Sequence, residues 1–494
     1  MSLLTENREN ECFFCNSSIK LQSCEHCDKI YSCENHLQIH RPSNTCMPFT
    51  VVTKECVGRC VLAVRDILAG EVIIEDKAAM IGPACREKVC LECLAPVAED
   101  TKCSSCGLPL CCEGPRHHME CQVLRGWKGS NNLSLYLAVC VIRGLAIDSC
   151  THERVDKLMD HLEERQNDDS DDDWDCKNTM DQLGKCGMKH SRQAMERMAG
   201  IFLTNNVSCA ALSGGKENGF GLFPIFSTLS HSCVANTRRC VDGEKMTVRA
   251  TIPLKSGQEI KTSYIYPDLG SVVRRTQFPT TWYFDCACER CADPTELGTF
   301  LSSLRCDNCD GCVLPKQSLV YDSIWVCGGC DQSITAADAV KKTQTMKKKC
   351  NECKEEIEEM EKLIQELLNF GHPNHYLIMQ IKKELSLRYG NMENSLMSNL
   401  TDQELARKVL LCQEWMEVMG KVDMGFTLSK GKLLEEVAKA KLENIKRSEM
   451  TKMKLLMEMK EVMKLVKEVG KCKQFENKEE QKQFAMRAKA MILT

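Results

Sequence analysis

The sequence predicts an α+β multidomain protein organised around metal-binding cysteine clusters. Cysteines and histidines recur in close pairs at metal-ligand spacing, and the chain contains 35 cysteines in 494 residues. Short β-branched segments with turn signals lie between these clusters, and the last third of the chain is rich in Lys, Glu, Leu and Met at helical spacing. A chain of this length is sufficient for roughly two to four domains.

The charge balance favours a protein or peptide partner. The net charge is −4 and 27% of the residues are charged, which is typical of a mixed, soluble surface. The chain lacks the basic excess of a general phosphate-backbone binder, so nucleic acid is not expected to be the primary ligand.

The cellular compartment is predicted from the absence of targeting signals. The N-terminal MSLLTENRENEC is polar and lacks the apolar region of a signal peptide. The longest apolar stretch, Leu133–Ile147, is interrupted by Arg143 and is too short to span a bilayer. We therefore expect a cytoplasmic or nuclear protein without membrane contact, where reduced CxxC pairs bind zinc rather than form disulfides.

Residues 1–48 predict a module with two zinc sites. Its ligands form four close pairs, and each pair can supply two ligands to one tetrahedral Zn²⁺ through a short reverse turn. A segment this short cannot bury enough apolar surface to fold alone, so the metal must supply the folding free energy. The predicted ligands are Cys12, Cys15, Cys24, Cys27, Cys33, His36, His40 and Cys46.

Residues 49–89 predict two or three short strands, and residues 90–121 predict a second zinc module that resembles the first. In its compressed second half, Cys111, Cys112, His117 and His118 compete for ligand positions, so the spacing leaves open whether two full sites form. The predicted ligands are Cys90, Cys93, Cys103, Cys106, Cys111, Cys112, His117 and Cys121.

Residues 122–205 predict a helical insert, and the acidic run Asp168–Asp175 within it is typical of a solvated loop. Residues 206–270 return to short strands, including MTVRATI and QEIKTSYIY.

Residues 271–335 contain a further group of cysteines, and residues 336–494 predict an all-helical domain. Breaks at Gly371–Pro373 and Gly425 divide that domain into helical hairpins. Cys350 and Cys353 lie at the start of its first helix, and we predict that they are plain cysteines because a helical stretch suits two-site chelation poorly.

Three pieces, in this order, carry a family resemblance. They are GRCVLAVRDILAGEVI at Gly58–Ile73, the zinc module at Cys90–Cys121, and LSHSCVAN at Leu229–Asn236 followed by Tyr264 and CACERC. Together they resemble the SMYD family, in which a MYND zinc finger and a helical insert interrupt a SET β-fold. The extra N-terminal MYND-like module resembles the arthropod-specific branch, and the C-terminus resembles the helical, TPR-like repeats of the family.

The resemblance implies transfer of a methyl group from S-adenosylmethionine to a lysine amine of a histone or another protein. The methyl group must face a neutral amine in line, and desolvation beside a positive sulfonium favours that neutral form. The resemblance gives the catalytic roles to Tyr264, as the active-site hydroxyl, and to Phe284, which lines the cofactor and lysine channel. Trp282 stands where relatives usually carry a tyrosine.

The resemblance also implies a set of cofactor-binding residues, in which several positions depart from the family pattern. Cys60 replaces a glycine of a Gly-x-Gly turn, Ser230 replaces an asparagine, and Ala235 replaces a proline. These departures support an alternative function, a catalytically weak or inactive zinc adaptor on a SET scaffold. The implied cofactor-binding residues are Gly58, Arg59, Cys60, Ser230, His231, Tyr264 and Phe284.

Two further zinc sites are expected in the post-SET region. The resemblance implies a closed structural site of Cys233, Cys286, Cys288 and Cys291. The spacing also predicts a ribbon-like site that combines Cys306 or Cys309 with Cys312, Cys327 and Cys330. The resemblance further implies that the MYND modules dock proline-rich peptides or corepressor partners.

Overall fold

The computed structural model describes residues 21–23, 31–33, 46–54, 58–83, 87–129, 131–166, 176–209, 218–392, 395–476 and 478–493. Most of the predicted N-terminal zinc module lies outside these ranges. From that module the structure describes an antiparallel hairpin, in which β1 (Leu21–Ser23) pairs with β2 (Tyr31–Cys33).

A core of short strands follows, which we call the strand core. The hairpin β3–β4 and the sheets β10-β11-β5 and β6-β8-β7 are antiparallel, whereas β9 and β12 pair in parallel. Alternate residues of β11 are buried, so one face of its sheet packs inward, as expected for a half-solvated antiparallel sheet. The strands are β3 Phe49–Lys54, β4 Gly58–Ala63, β5 Val72–Lys77, β6 Met80–Pro83, β7 Asn206–Cys209, β8 Gly219–Leu222, β9 Ser230–His231, β10 Thr237–Asp242, β11 Lys245–Ala250 and β12 Lys261–Thr262.

Two sequence expectations for this core were wrong in detail. Residues 49–89 form four described strands rather than two or three. The strand expected over QEIKTSYIY is only β12, because the backbone N–H of Tyr264 donates to a side-chain nitrogen of His231 instead of to a neighbouring strand.

The second zinc module and the helical insert interrupt the strand core between β6 and β7. Helix α2 is buried over most of its length and forms the centre of the insert. The acidic run Asp168–Asp175 lies outside the described residues. The helices are α1 Pro115–Cys121, α2 Asn132–Leu145, α3 Ser149–Val155, α4 Leu162–Gln166, α5 Cys176–Lys185 and α6 Arg192–Asn205.

Within the described ranges, no single helix is long and apolar enough to cross a membrane. Helices α2 and α3 reach the required length and composition only when they are taken together across a bend of 119°.

After the strand core, α7 (Ser271–Thr281) and α8 (Glu289–Ala292) enclose the segment that contains Cys286 and Cys288. A four-stranded antiparallel sheet then forms a small unit that we call the ribbon. Its strands are β13 Leu304–Arg305, β14 Cys312–Pro315, β15 Trp325–Cys327 and β16 Ser333–Ile334.

The rest of the chain is a helical region with a short hairpin, β17 (Asn391–Met392) and β18 (Ser395–Leu396). Capping boxes at Thr335 and Thr401 begin two of its helices. The breaks predicted at Gly371–Pro373 and at Gly425 fall between consecutive helices. The helices are α9 Ala336–Glu352, α10 Ile357–Leu367, α11 Tyr376–Arg388, α12 Asp402–Met419, α13 Leu428–Arg447, α14 Lys452–Lys473 and α15 Lys478–Leu493.

Candidate active site and metal clusters

The candidate site lies where the LSHSCVAN segment meets the end of β12. Strand β9 pairs with β12, and the amide side chain of Asn236 accepts from the backbone N–H of Lys261 and donates to the carbonyl of Glu259, both at 2.8 Å. These contacts fix the two segments in register, so Tyr264, two residues after the end of β12, comes to lie beside His231.

His231 connects Tyr264 to a cysteine cluster. Its Nδ1 accepts the Tyr264 backbone N–H at 3.1 Å, and its Nε2 lies 3.3 Å from the Cys233 Sγ. Burial lowers the pKa of His231 to about 3, so the ring is neutral at physiological pH. Because Nδ1 is an acceptor, the neutral ring carries its proton on Nε2 and directs it at the sulfur.

Tyr264 keeps its phenolic proton at neutral pH. Its hydroxyl donates to the carbonyl oxygen of Leu229 at 2.7 Å. Burial raises the pKa of Tyr264 to about 12, although the nearby charge of Arg59 opposes the shift. The phenol is therefore a fixed, neutral polar group and not a proton acceptor in the ground state.

Aromatic rings enclose this pair. The ring centroids of His231 and Phe278 are 4.6 Å apart, and those of Phe278 and Phe284 are 5.1 Å apart. Trp282 lies on the other side of the Tyr264–His231 pair, with its ring centroid 5.3 Å from that of Tyr264. The sequence interpretation missed Phe278. Its position four residues after Arg274 on α7, on one helix face, is the pattern that could have indicated it.

Trp282 and Tyr283 attach this wall to the helical insert. The indole N–H of Trp282 donates to the carbonyl of Thr204 at 3.1 Å, at the end of α6. The Tyr283 ring lies 5.1 Å from His161 and beneath the guanidinium of Arg165. Trp282 thus uses its single donor on the protein itself.

The structure brings together the two segments that the resemblance assigned to cofactor binding. The Ser230 hydroxyl donates to the carbonyl of Arg59 at 3.0 Å. Gly58, Arg59 and Cys60 begin strand β4 instead of forming a turn, and Cys60 is fully buried on the face opposite Val61. Burial lowers the pKa of Arg59.

Among the described residues, four groups of cysteine and histidine have all their ligand atoms within 4.8 Å of one another. Three of these groups are closed sets of four sulfurs, and the fourth has three sulfurs and one imidazole. Tetrahedral sets of this composition suit structural Zn²⁺. The groups are Cys90, Cys93, Cys111, Cys112; Cys103, Cys106, His117, Cys121; Cys233, Cys286, Cys288, Cys291; and Cys306, Cys309, Cys327, Cys330.

The second zinc module gathers all eight of its predicted ligands, and it uses His117 and not the exposed His118. His117 Nε2 lies 3.5 Å from the Cys106 Sγ, and its Nδ1 lies 3.3 Å from a carboxylate oxygen of Glu120. A carboxylate on the second nitrogen is the usual support for a metal-ligating histidine. Burial raises the pKa of the Cys90 thiol, but backbone N–H donors outweigh it and lower that pKa to about 6, which favours a thiolate.

The Cys233 cluster has a buried cation against its sulfurs. Arg274 Nε donates to the Cys233 Sγ at 3.3 Å, and Arg274 Nη2 lies 3.7 Å from the Cys291 Sγ. Glu296 holds this guanidinium from the other side at 2.6 Å. N–H donors and a positive charge at the sulfurs fit a metal–thiolate group, which is an anion.

The ribbon cluster corrects one prediction. Cys306 is a member of the group and Cys312 is not. The Cys306 N–H donates to the carbonyl of Gly311 at 2.9 Å and closes a tight turn that aims Cys306 and Cys309 at one point. Cys312 lies beyond that turn, in β14 opposite Arg305.

Two other sets of residues from the sequence analysis are not part of these four clusters. Cys350 and Cys353 lie at the C-terminal end of α9 and not at the start of a helix, as the sequence analysis predicted, and they are outside the four described groups. In the N-terminal module, Cys12, Cys15, Cys24, Cys27, His36 and His40 lie outside the described residues. Of its remaining ligands, Cys33 ends β2 and Cys46 is partly buried before β3.

Comparison with known proteins agrees with this geometry. Residues 58–265 match the SET domain family. The chain is 26% identical over 403 residues to the SET domain-containing protein SmydA-8, isoform A, of Drosophila melanogaster, over 76% of this chain and 85% of that protein. It is 22% identical over 336 residues to the histone-lysine N-methyltransferase Smyd1 of Mus musculus, over 62% of this chain and 67% of that protein.

The chain is also similar to a solved structure, the SET domain of LSMT bound to lysine and AdoHcy. The match covers 90% of this chain and 88% of that chain, at 10% sequence identity. The TM-score of this match is 0.29.

The strand core with its inserted zinc module and helical insert is therefore a SET domain of the protein-lysine methyltransferase class. The chain is similar to members of the SMYD family, in agreement with the predicted resemblance, and the Drosophila relative fits the arthropod branch. The predicted α+β multidomain fold class, with several cysteine clusters and a helical C-terminal region, is confirmed.

Proposed function

We propose that the chain is an S-adenosylmethionine-dependent protein-lysine N-methyltransferase that acts on a histone or another protein. The observation that carries the proposal is the pairing of Tyr264 with His231 inside an aromatic enclosure, directly beside the Cys233 cluster. The family assigns a hydroxyl and an aromatic wall to these positions, and the chain provides both.

The chemistry requires little from the protein beyond position and desolvation. The bound cofactor supplies an electrophilic methyl group. The rings of Phe278, Trp282 and Phe284 exclude water, and desolvation lowers the pKa of a lysine amine and so favours its neutral, nucleophilic form. The Tyr264 hydroxyl, fixed by the Leu229 carbonyl, orients the amine for in-line attack.

The cofactor would lie against the junction of β4 and the LSHSCVAN segment. Gly58, Arg59 and Cys60 form one side of that junction, and Ser230 and His231 form the other. A neutral His231, held at both nitrogens, gives this junction a fixed surface.

We propose zinc as the metal of the described clusters, in a structural role. Each group offers four protein ligands, which leaves no open position for a reacting water. The Cys233 cluster would tie Phe284 and the segment after it to the strand core, and so close the lysine channel.

A second candidate function follows from a specific observation. The Ser230 hydroxyl bonds to the backbone at Arg59, and Cys60 occupies buried space where a glycine was expected. Both features reduce what the junction can offer a cofactor. They support the alternative of a weak or inactive SET scaffold that binds proteins through its zinc modules.

Partner binding through the zinc modules has one structural support. An open surface depression lies on the second module, lined by residues of α1 that include Pro115, Arg116 and Met119. A short peptide is the size of ligand that such a surface accepts.

Calorimetric titration of S-adenosylmethionine into the zinc-loaded protein separates the two functions. Micromolar binding, on the order of 8 kcal/mol, supports the methyltransferase. If neither heat nor thermal stabilisation is observed, the adaptor function is favoured.

Replacing the catalytic hydroxyl tests the mechanism. We expect Tyr264→Phe to lower methyl transfer from labelled cofactor to a protein library by roughly 10²-fold or more, because the amine loses its polar anchor. The fold and the zinc content should be unchanged. Tyr266→Phe is the matched control, since Tyr266 is 76% exposed two residues away. An unchanged rate in Tyr264→Phe would remove Tyr264 from the mechanism.

A further inference from the structure

The ribbon carries a cysteine cluster at one end that the family resemblance does not account for. Cys306 and Cys309 come from the β13–β14 turn, and Cys327 and Cys330 come from the β15–β16 turn. The Cys309 and Cys327 sulfurs are 3.4 Å apart, and those of Cys306 and Cys330 are 3.7 Å apart. Two knuckles of the same antiparallel sheet thus face one point.

The backbone around these sulfurs is shaped for an ion. A Cβ at Gly311 would lie 3.0 Å from the Cys327 Sγ, and one at Gly329 would lie 3.3 Å from the Cys309 Sγ. The Gly329 N–H donates to the Cys327 Sγ at 3.3 Å, and the Asn308 N–H lies 3.4 Å from the Cys306 Sγ. Glycines that admit the sulfurs and N–H groups that donate to them are features of a metal–thiolate knuckle.

The opposite end of the ribbon, the loop of residues 316–324, contacts α7 and the segment that directly follows the aromatic wall of the candidate site. The Tyr321 hydroxyl is 2.5 Å from a carboxylate oxygen of Asp285, and its ring lies 4.3 Å from the Arg275 guanidinium. Arg275 donates to the Leu319 carbonyl at 2.7 Å, and the Ser318 hydroxyl donates to the Ala292 carbonyl at 2.7 Å.

These contacts bracket the segment that holds the Cys233 cluster closed. Asp285 directly precedes Cys286, and Ala292 directly follows Cys291. Asp285 also directly follows Phe284, whose ring packs against Phe278 and His231.

The ribbon is itself anchored to the helical region. Arg305 in β13 bonds through its backbone N–H to the Phe370 carbonyl at 2.9 Å and through its side chain to the Leu368 carbonyl at 3.0 Å. Lys342 of α9 pairs with Asp307, between two of the cluster cysteines, at 2.6 Å. The loop is therefore supported from a fixed base.

We propose that Cys306, Cys309, Cys327 and Cys330 bind one structural Zn²⁺, and that the ribbon it folds is a clamp that positions residues 284–292 through Tyr321 and Ser318. The metal closes both knuckles, which sets the register of β14 on β15, and this register sets where the loop meets Asp285 and Ala292. Tyr321 is a positioning residue in this arrangement.

Zinc content of the purified full chain tests the site. Cys330→Ser should lose one zinc per chain relative to the wild type, whereas Cys312→Ser, which changes a ribbon cysteine outside the cluster, should lose none. Cys330→His should restore the lost zinc because imidazole is also a tetrahedral ligand. An equal count in Cys330→Ser and the wild type would overturn the metal site.

A second measurement tests the metal site even if Cys330→Ser does not fold. After reconstitution with Co²⁺, Cys330→His should shift the sulfur-to-cobalt absorption band relative to Cys312→Ser, since one sulfur ligand is replaced by nitrogen. Identical spectra would overturn the site.

Amide hydrogen exchange over residues 282–292 tests the clamp. Tyr321→Phe keeps the ring on Arg275 but removes the hydroxyl at Asp285, and we expect about tenfold faster exchange there, the effect of losing one hydrogen bond to a charged group. Leu319→Ala is the control in the same loop, since its backbone contact remains. Cys330→Ser should accelerate the same amides, and Cys330→His should restore them. Unchanged exchange in Tyr321→Phe, or in a zinc-depleted Cys330→Ser, would overturn the positioning role.

Neither measurement depends on methyl transfer. A chain without cofactor binding can still show the zinc loss and the exchange pattern, so failure of the proposed function and failure of the clamp are distinguishable.

Discussion

At the scale of single residues, Glu296 has an unusually demanding environment. It is fully buried between two guanidinium groups, with contacts of 2.6 Å to Arg274 and 2.8 Å to Arg290. Burial alone would raise the pKa of its carboxyl, but the two cations outweigh burial and lower it to about 2. Because Arg274 also donates to the Cys233 sulfur, this carboxylate orients a group that supports the cluster.

We expect Glu296→Gln to lower the free energy of unfolding by about 3–5 kcal/mol, since it removes the buried carboxylate that two guanidinium groups share. The difference in unfolding free energy between wild type and variant is fully present above the ordinary glutamate pKa of 4.5. It is lost as the pH falls toward about 2, the lowered pKa of Glu296. Denaturant unfolding of zinc-saturated protein measures it.

The control for this experiment is Asp310→Asn, which breaks the exposed pair of Asp310 with Arg305 and should cost less than about 1 kcal/mol. Equal losses in the two variants would show that burial does not strengthen the Glu296 cluster.

The sequence indicated some residues of the candidate active site and missed others. Tyr264 and His231 were found because their motifs are local, and the structure brings them into contact. Arg274 and Phe278 were missed, because their four-residue spacing marks one helix face but does not show that this face turns toward the cluster. Contacts between segments distant in sequence depend on packing, which residue spacing does not encode.

At the scale of elements, the ribbon shows how equal spacing can mislead. Two residues separate Cys306 from Cys309, and two residues also separate Cys309 from Cys312. Spacing alone therefore cannot show which of the three cysteines bind the metal. The hydrogen bond from the Cys306 N–H to the Gly311 carbonyl determines which cysteines join the cluster. It places the first two cysteines on a turn and leaves the third in a strand. The helical insert and the helical region, in contrast, follow directly from apolar periodicity, as in α10.

The loop between α12 and α13 joins the helical region to the strand core. Gly425 has a φ of +79°, and a Cβ there would lie 2.0 Å from the backbone oxygen of Thr251. The next residue, Phe426, donates its N–H to that same oxygen at 3.1 Å. Glycine is required here both by the backbone conformation and by the close approach.

We therefore expect Gly425→Ala to destabilise the chain by more than the roughly 1–2 kcal/mol of left-handed strain alone. Gly243→Ala is the matched control, because Gly243 has a φ of +59° in the β10–β11 turn and open space around it. Thermal unfolding of both variants measures the difference, and equal shifts would show that the contact with Thr251 is dispensable.

At the scale of the whole molecule, the cysteine clusters lie at junctions between units. The second module joins the strand core to the helical insert, and Leu91 of that module belongs to the core of the insert together with Val89, which directly precedes the module. The Cys233 cluster joins the strand core to the segment after it. The ribbon cysteines Cys306 and Cys327 lie in the core of the helical region. Metal loss should therefore loosen the connections between units first.

Metal analysis and chelation test this arrangement. The described residues contain four clusters, and the N-terminal module adds predicted ligands for two more, so we expect about five to seven Zn²⁺ per chain. A structural zinc contributes on the order of 10 kcal/mol or more of apparent folding free energy, so a strong chelator should unfold the zinc modules and the ribbon. Helices α13–α15 should keep their amide protection, because Leu434, Val462 and Phe484 form an apolar core between them. A count near two, or simultaneous loss of protection in α13–α15, would contradict this division of the molecule.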